Sequence, residues 1–574
     1  MSTADADEGA FELDARELLL SVADSYRYME MSARRYALVV LLPATLFALG
    51  TVVVAVAAPV GLTVRLPLVG LGLLAAAVAV FYPKVVQDRR SREIRERFHL
   101  FLTHITVLSM TNIDRVEIFR TLAEVDEYGA LATEMGHIVA LVDTWNQSLD
   151  DACRLRSKRA DSELLSDFLE RLAYAVGAGQ SLSDFLVDEQ DTILQQFVIR
   201  YESDLAKLDV LKELYLSLML STTFILVFST VLPLLLGISP VLLVGGVVVM
   251  FGIVQGGFLF VVHTISPWDP VWFHADELST PAENVRTALW VGVGLTLSAA
   301  LGVLAVAVGL LPVPRDLVPT PIYMSIVVTP LLIPGVVMRR EENRVKDRDK
   351  GFPSFIRALG SVEAVKQTST VNVLATLRNK DFGALTRNVE GLYRRLNLRI
   401  DTTRSWRLFA AETGSYLIQK FGDMYVVGRR MGGDSQVLGQ VISTNFSEVL
   451  RVREQRAQAT STFVGVMYGI TAASIFSAFI GLQIAEQMLA IAKGLDSNSE
   501  ITSLLFNPQV YDVASIEFLL FGVVLLNALL SSLIIRLIDR GHTVNALVHF
   551  VMLIWTGSVV AVVTQFVAGQ LITV

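Results

Sequence analysis

One cysteine, Cys153, stands in 574 residues, so the chain can form no internal disulfide and cannot supply a thiolate metal cluster. Its ordinary role is that of a small buried hydrophobe. Lysine is scarce too: ten stand against 38 arginines, and 56 acids outnumber the 48 bases, a composition that suits a salty cytoplasm. The chain has no G-x-x-x-x-G-K-[ST] phosphate loop, no H-E-x-x-H, no paired-cysteine zinc spacing and no G-x-S-x-G nucleophile elbow. These gaps argue against ATP hydrolysis, zinc chemistry and serine hydrolysis. No catalytic residue, cofactor or metal is expected. Seven histidines are scattered along the chain and read as surface or packing residues. The N-terminus, MSTADADEGAFELDARELLL, lacks the basic region and short apolar core of a cleavable signal, so the first apolar stretch is expected to remain as an anchor.

Apolar sequence is what the chain has in plenty. Hydrophobic residues make up 53% of it, more than a soluble domain needs. A bilayer core takes about 20 consecutive apolar residues per helix. About nine such stretches occur: Ala37 to Val60, Leu66 to Tyr82, Leu216 to Leu236, Val241 to His263, Leu289 to Leu311, Pro321 to Met338, Ser461 to Ile484, Phe518 to Leu537 and Ala546 to Ala568. The expected fold is an all-α polytopic membrane protein with two homologous cytoplasmic helical-bundle domains. Its parts are an N-terminal segment (1–36), spans one and two (37–82), a first helical domain (83–215), spans three to six (216–338), a second helical domain (339–460), span seven (461–484), an extracytoplasmic loop (485–517) and spans eight and nine (518–568). Of the 48 basic residues, 38 fall in the two helical domains. Positive charge resists translocation, which places both domains and the N-terminus in the cytoplasm and the C-terminus outside the cell membrane.

The two domains can be superposed in sequence, without a gap, at an offset of 254 residues. Phe98 and Phe101 fall on Phe352 and Phe355. YGAL at Tyr128 to Leu131 falls on FGAL at Phe382 to Leu385, and Gly179 and Ser181 fall on Gly433 and Ser435. Apolar residues within each copy recur at helical spacing, as in Leu164, Leu165, Phe168, Leu169, Leu172 and Val176. Gly177 and Gly179 before Asp184, and Gly432 and Gly433 before Asp434, read as a helix stop followed by a new N-cap.

Charge separates the copies. The first carries 24 acids against 16 bases and the second 13 against 22. Arg394, Arg395, Arg399, Arg404, Arg407, Arg429 and Arg430 are therefore candidate contacts for an acidic protein partner, and the juxtamembrane bases for anionic lipid. Nucleic acid is the weaker option for these bases and is not expected as a partner. Ionisable residues are nearly absent from the spans; Glu486, Glu517 and Arg536 stand at helix ends, which argues against an ion-coupled transporter, the alternative of another class. Gly252 and Gly256 have the small-xxx-small spacing of close helix packing.

Duplicated helical domains, each running into a membrane helix, with Phe-x-x-Phe starts and a glycine break, resemble the type II secretion system F-domain family over roughly Arg97 to Ile484. Length, the extra spans and the arginine-rich acidic style are most similar to its archaellum platform members from halophilic archaea. The resemblance implies a non-enzymatic membrane platform that binds a hexameric cytoplasmic secretion ATPase and transmits its motion to pilin-like filament subunits, the archaellins, for assembly and rotation. It also implies a homodimer. The platform of an adhesive type IV pilus, of PilC or TadC type, fits the same pattern.

Overall fold

The computed structural model describes residues 90–160, 162–236, 239–267, 269–273, 280–310, 319–494 and 513–572, with scattered positions between 36 and 80. The greater part of the first two expected spans lies outside the described residues, as do the N-terminal segment before Tyr36 and residues 495–512 of the expected outer loop. Among the described residues there is no strand, only one isolated bridge between Trp272 and Ser415.

Among the residues described from 90 on, seventeen α-helices follow in order: α1 (90–109), α2 (Arg115–Ala123), α3 (Ala130–Trp145), α4 (Leu149–Ser157), α5 (Glu163–Gly177), α6 (Leu182–Leu236), α7 (Pro240–Ile265), α8 (Thr280–Val308), α9 (Thr320–Val328), α10 (Leu332–Lys366), α11 (Thr370–Leu377), α12 (Thr386–Asn397), α13 (Thr402–Thr413), α14 (Tyr416–Arg430), α15 (Ser435–Gly494), α16 (Val513–Asp539) and α17 (Ala546–Ile572). Seven stretches are long and apolar enough to cross a membrane, each containing most of one expected span from the third to the ninth. The count is thus seven among the described residues, against about nine expected. The sixth expected span is not one helix. Pro330 and Pro334 interrupt the hydrogen-bond ladder, and a 3₁₀ turn at Thr329–Leu331 separates α9 from α10.

The chain divides into two compact units, Met1–Ile193 and Leu194–Val574. In the first, the apolar side chains of α5 at positions 165, 168, 169 and 172 bury one stripe against α1, where Phe98 meets Phe168 edge-on at 5.3 Å. Each such ring removed from water contributes about 2 kcal/mol. Phe101 meets Tyr128 at 5.7 Å with rings at 89°.

In the second unit, α10 to α14 and the first half of α15 form a polar helical lobe that continues into the apolar bundle. Phe355 meets Phe382 at 5.4 Å and 81°, the same arrangement as Phe101 with Tyr128. Phe352 packs on Phe446 at 4.8 Å. The closest helix crossing lies here: a Cβ on Gly360 of α10 would collide with the Ser435 carbonyl oxygen, and one on Gly439 of α15 would stand 2.9 Å from the Ile356 carbonyl oxygen.

The gapless register needs one correction. Gly179 has φ 83° and ends α5, with the Gln180 amide donating back to the Ala175 carbonyl; the residue doing this for α14 is Gly432, φ 87°, followed by the Gly433 amide donating to the Gly428 carbonyl. Gly433 does not share that left-handed conformation. The reason is a shortened connection. The offset is 254 at Gly129 and Gly383, both with positive φ, and 253 at the N-caps Ser148 and Asp401.

Candidate functional site

Two arginines stand one and two turns before the apolar stretch of α15, and both are turned inward. The Arg453 guanidinium donates to Asp269 through Nη2 at 2.6 Å and Nε at 2.9 Å, to Asp349 through Nη1 at 3.1 Å, and to the Pro270 carbonyl at 2.9 Å. Only 12% of the Arg453 side chain, 14% of Asp269 and 1% of Asp349 is exposed, so the charges are shielded from water and depend on one another. Asp349 also accepts from the Ser415 hydroxyl. Ser415 is the N-cap of α14, its Oγ accepting from the Ile418 amide at 3.1 Å.

The chain after α7 is held by the same corner. The Phe273 amide donates to the Gly414 carbonyl at 2.9 Å and the Tyr416 amide to the Val271 carbonyl at 3.0 Å. From α10, Arg348 donates to the Thr413 carbonyl at 2.9 Å.

Arg456, nearly one turn further along α15, is 4% exposed and, among the described residues, has no carboxylate as a hydrogen-bond acceptor. It donates to the Ile538 carbonyl at 2.7 Å, the Ser266 hydroxyl at 2.8 Å, the Tyr201 hydroxyl at 3.0 Å and the Pro267 carbonyl at 3.2 Å. Ile538 lies in the last turn of α16, where unpaired carbonyls and the helix dipole favour a cation. Ser266 donates to the Leu537 carbonyl at 2.8 Å and its own carbonyl accepts from Arg540 at 2.7 Å. The two arginines therefore tie α6, α7, α10, α14, α15 and α16 into one joint between the polar lobe and the apolar bundle.

A second polar network lies inside the bundle. The Gln255 amide of α7 donates to the Asn527 side-chain oxygen of α16 at 2.6 Å and to the Tyr215 hydroxyl at 3.2 Å. Asn527 donates to Thr471 of α15 at 2.9 Å, and Thr223 of α6 donates to Ser474 at 2.8 Å. Polar pairs of this kind fix which helices meet where apolar burial cannot discriminate. Among the described residues no three His, Cys, Asp or Glu side chains are grouped to hold a metal.

Residues 101–230 match the family model of the type II secretion system protein F. The Flagella accessory protein J of Methanococcus voltae is 34% identical over 548 residues, 94% of this chain and 97% of that protein. The Flagella accessory protein J of Methanocaldococcus jannaschii is 32% identical over 562 residues, 97% of this chain and 99% of that protein. The chain belongs to the flagella accessory protein J family. No solved structure matches it.

In this flagella accessory protein J homologue the seven arginines named from sequence divide into two groups. Arg394, Arg399, Arg404, Arg407 and Arg430 are exposed. Arg395 is instead paired with Glu412 and donates to the Ser405 carbonyl at 3.3 Å. Arg429 holds the end of α14, bonded to the Gly433 carbonyl at 2.6 Å and to the buried Glu363 at 3.1 Å. Tyr425 donates to the same Glu363 at 2.7 Å, and burial pushes its hydroxyl pKa up. Arg395 and Arg429 thus serve the lobe itself, because each finds a carboxylate within its own fold.

A Cβ on Gly252 would make only ordinary contact with Leu526, and one on Gly256 would meet nothing within 4 Å among the described residues. The close approaches in the bundle come from other glycines. A Cβ on Gly481 would stand 2.6 Å from Thr230 Oγ1, and one on Gly557 2.6 Å from Ile475. Sequence reasoning also missed Asp269, Asp349, Arg453 and Arg456. Their signal was available for the arginines alone: two bases three apart just ahead of an apolar run.

Proposed function

We propose that this protein is the membrane platform of an archaellum-type filament machine: its polar helical domains face the cytoplasm, engage a hexameric secretion ATPase, and pass the ATPase's motion to pilin-like subunits handled by the membrane helices. The chain works as a two-fold pair in this reading, with the C-terminus outside and juxtamembrane bases against anionic headgroups. It transmits work and catalyses no reaction.

The observation that best supports the reading is the joint around Arg453. The helices α10 and α15 run without a break from the polar lobe into the bundle, and the buried pairing of Arg453 with Asp269 and Asp349 binds both to the end of α7. A displacement imposed on the lobe must then move the span helices, since separating them would leave charges buried and unpaired. The exposed Arg430 and the basic balance of the second lobe, 22 bases against 13 acids, suit an acidic partner.

The test is a strain in which the gene is deleted and then restored with wild type or with Arg453→Ala. Loss of swimming filaments on deletion, with co-purification of the secretion ATPase by the restored protein, supports the reading. Intact archaella on deletion overturn it, and loss of adhesive pili alone moves the assignment to a pilus platform.

A further inference from the structure

Two turns occupy the same place in the two helical lobes, and each leaves a large apolar side chain in solvent. At the end of α3, Trp145 is 72% exposed; Asn146 follows with φ 52°, and Ser148 caps α4 by accepting from the Asp151 amide at 3.3 Å. At the end of α12, Leu398 is 73% exposed; Arg399 follows with φ 59°, and Asp401 caps α13 by accepting from the Arg404 amide at 3.0 Å. A single exposed apolar residue needs no explanation. The same position, exposed to the same degree in both copies and placed on a turn rather than in a core stripe, forms a pattern.

The surroundings of the two turns have opposite charge. Asp143 and Asp151 stand on the helical turns beside Trp145, whereas Arg394, Arg404 and Arg407 stand on those beside Leu398, and Asp151 occupies the position that Arg404 holds in the second lobe. Asp143 bonds Arg120 at 2.9 Å and Arg394 pairs with Glu390, both at the surface, where such pairs are weak and exchange readily. The lobes as wholes carry 24 acids against 16 bases and 13 against 22. Two like-signed copies of one surface would repel. These two are complementary.

We infer that the two turns are the halves of one contact between copies of the chain, with Trp145 of one copy seated against Leu398 of the partner subunit and the acidic and basic rims paired around them. An apolar anchor ringed by complementary charge is the usual form of a specific contact. In a pair closed by a two-fold axis such a contact is made twice, once from each copy. The inference names a surface and rests on the proposed function only in treating the chain as a pair.

The experiment uses two full-length versions with different tags, one carrying Trp145→Cys and the other Leu398→Cys, coexpressed and oxidised in membranes. Cys153 is buried and stays silent. The expected result is a disulfide-linked product carrying both tags. It should fall at least tenfold when Arg394, Arg404 and Arg407 of the Leu398→Cys chain become Glu, and return when Asp143 and Asp151 of the Trp145→Cys chain become Arg. Gel filtration of the reduced proteins serves as the control for folding and assembly. A mixed product unaffected by the charge changes overturns the complementary-rim argument. No mixed product from a chain that still elutes as a dimer overturns the surface and leaves the pair standing; no product from a monomeric wild type overturns both.

Discussion

Arg453 meets the Asp269 carboxylate with two nitrogens, Nη2 at 2.6 Å and Nε at 2.9 Å, while its remaining terminal nitrogen reaches Asp349 at 3.1 Å. One guanidinium therefore serves two buried carboxylates. Arg453→Ala should cost about 3–5 kcal/mol, because both acids are left unpaired out of water. Lysine, a point charge with no fork, should restore little of it. Denaturant unfolding of the purified protein in detergent measures the loss; a change below about 1 kcal/mol contradicts the joint.

Exposed and inward arginines should separate cleanly. Reversing Arg430 to Glu is expected to weaken binding of the ATPase at matched salt while unfolding stays within about 0.5 kcal/mol. Arg429→Ala should do the opposite, destabilising the lobe by about 1–3 kcal/mol through the buried Glu363, left with only the Tyr425 and Thr370 hydroxyls, and leaving the exposed basic face intact. Binding isotherms and unfolding curves on the same preparations check both.

Gly360→Ala should destabilise by about 1–3 kcal/mol, since the new methyl meets the Ser435 backbone rather than a movable side chain. Gly256→Ala, made in open space, is the matched control and should be near neutral. Thermal unfolding of the two variants in parallel gives the comparison.

Burial pushes the Cys153 thiol up to about 12, from an ordinary 9.0. The folded thiol therefore stays protonated where the unfolded one ionises. Its contribution to stability is fully present below pH 9 and falls as pH rises from 9 toward 12. Maleimide labelling at pH 8 should be negligible in the native protein and complete in denaturant, and Cys153→Ala should flatten the alkaline loss. Rapid native labelling would contradict this burial.

Asn527→Leu removes the acceptor of Gln255 and the donor to Thr471 inside the bundle. The cost expected for such intramembrane bonds is about 1–2 kcal/mol. Unfolding from mixed micelles measures it, and no change would mean that apolar packing alone sets those crossings.

The long apolar runs made the seven described spans legible, because a period of about 20 uncharged residues has few other uses. The Phe-x-x-Phe starts were legible for a related reason: Phe98, Phe101, Phe352 and Phe355 are large, buried and spaced to share a helix face. What sequence could not supply was partnership. Arg429 and Arg394 look alike in a string of bases, and only the fold brings Glu363 beneath the first. Asp269 and Arg453 are 184 positions apart. Gly256 has the spacing of a packing motif yet meets no neighbour among the described residues, whereas Gly360 and Gly439 make the closest crossing. The one-residue slip between the lobes was hidden for another reason, since flanking aromatic matches keep their spacing while the connection between them shortens.

The uninterrupted length of α15 has a mechanical consequence. Sixty residues at 1.5 Å each make a rod of about 90 Å. Arg453, its most firmly held point, divides the rod into arms of about 27 Å and about 62 Å. A tilt about that point that shifts the Ser435 end by about 1 Å swings the far end by more than 2 Å, so the unequal arms enlarge whatever displacement is applied at the start of the helix.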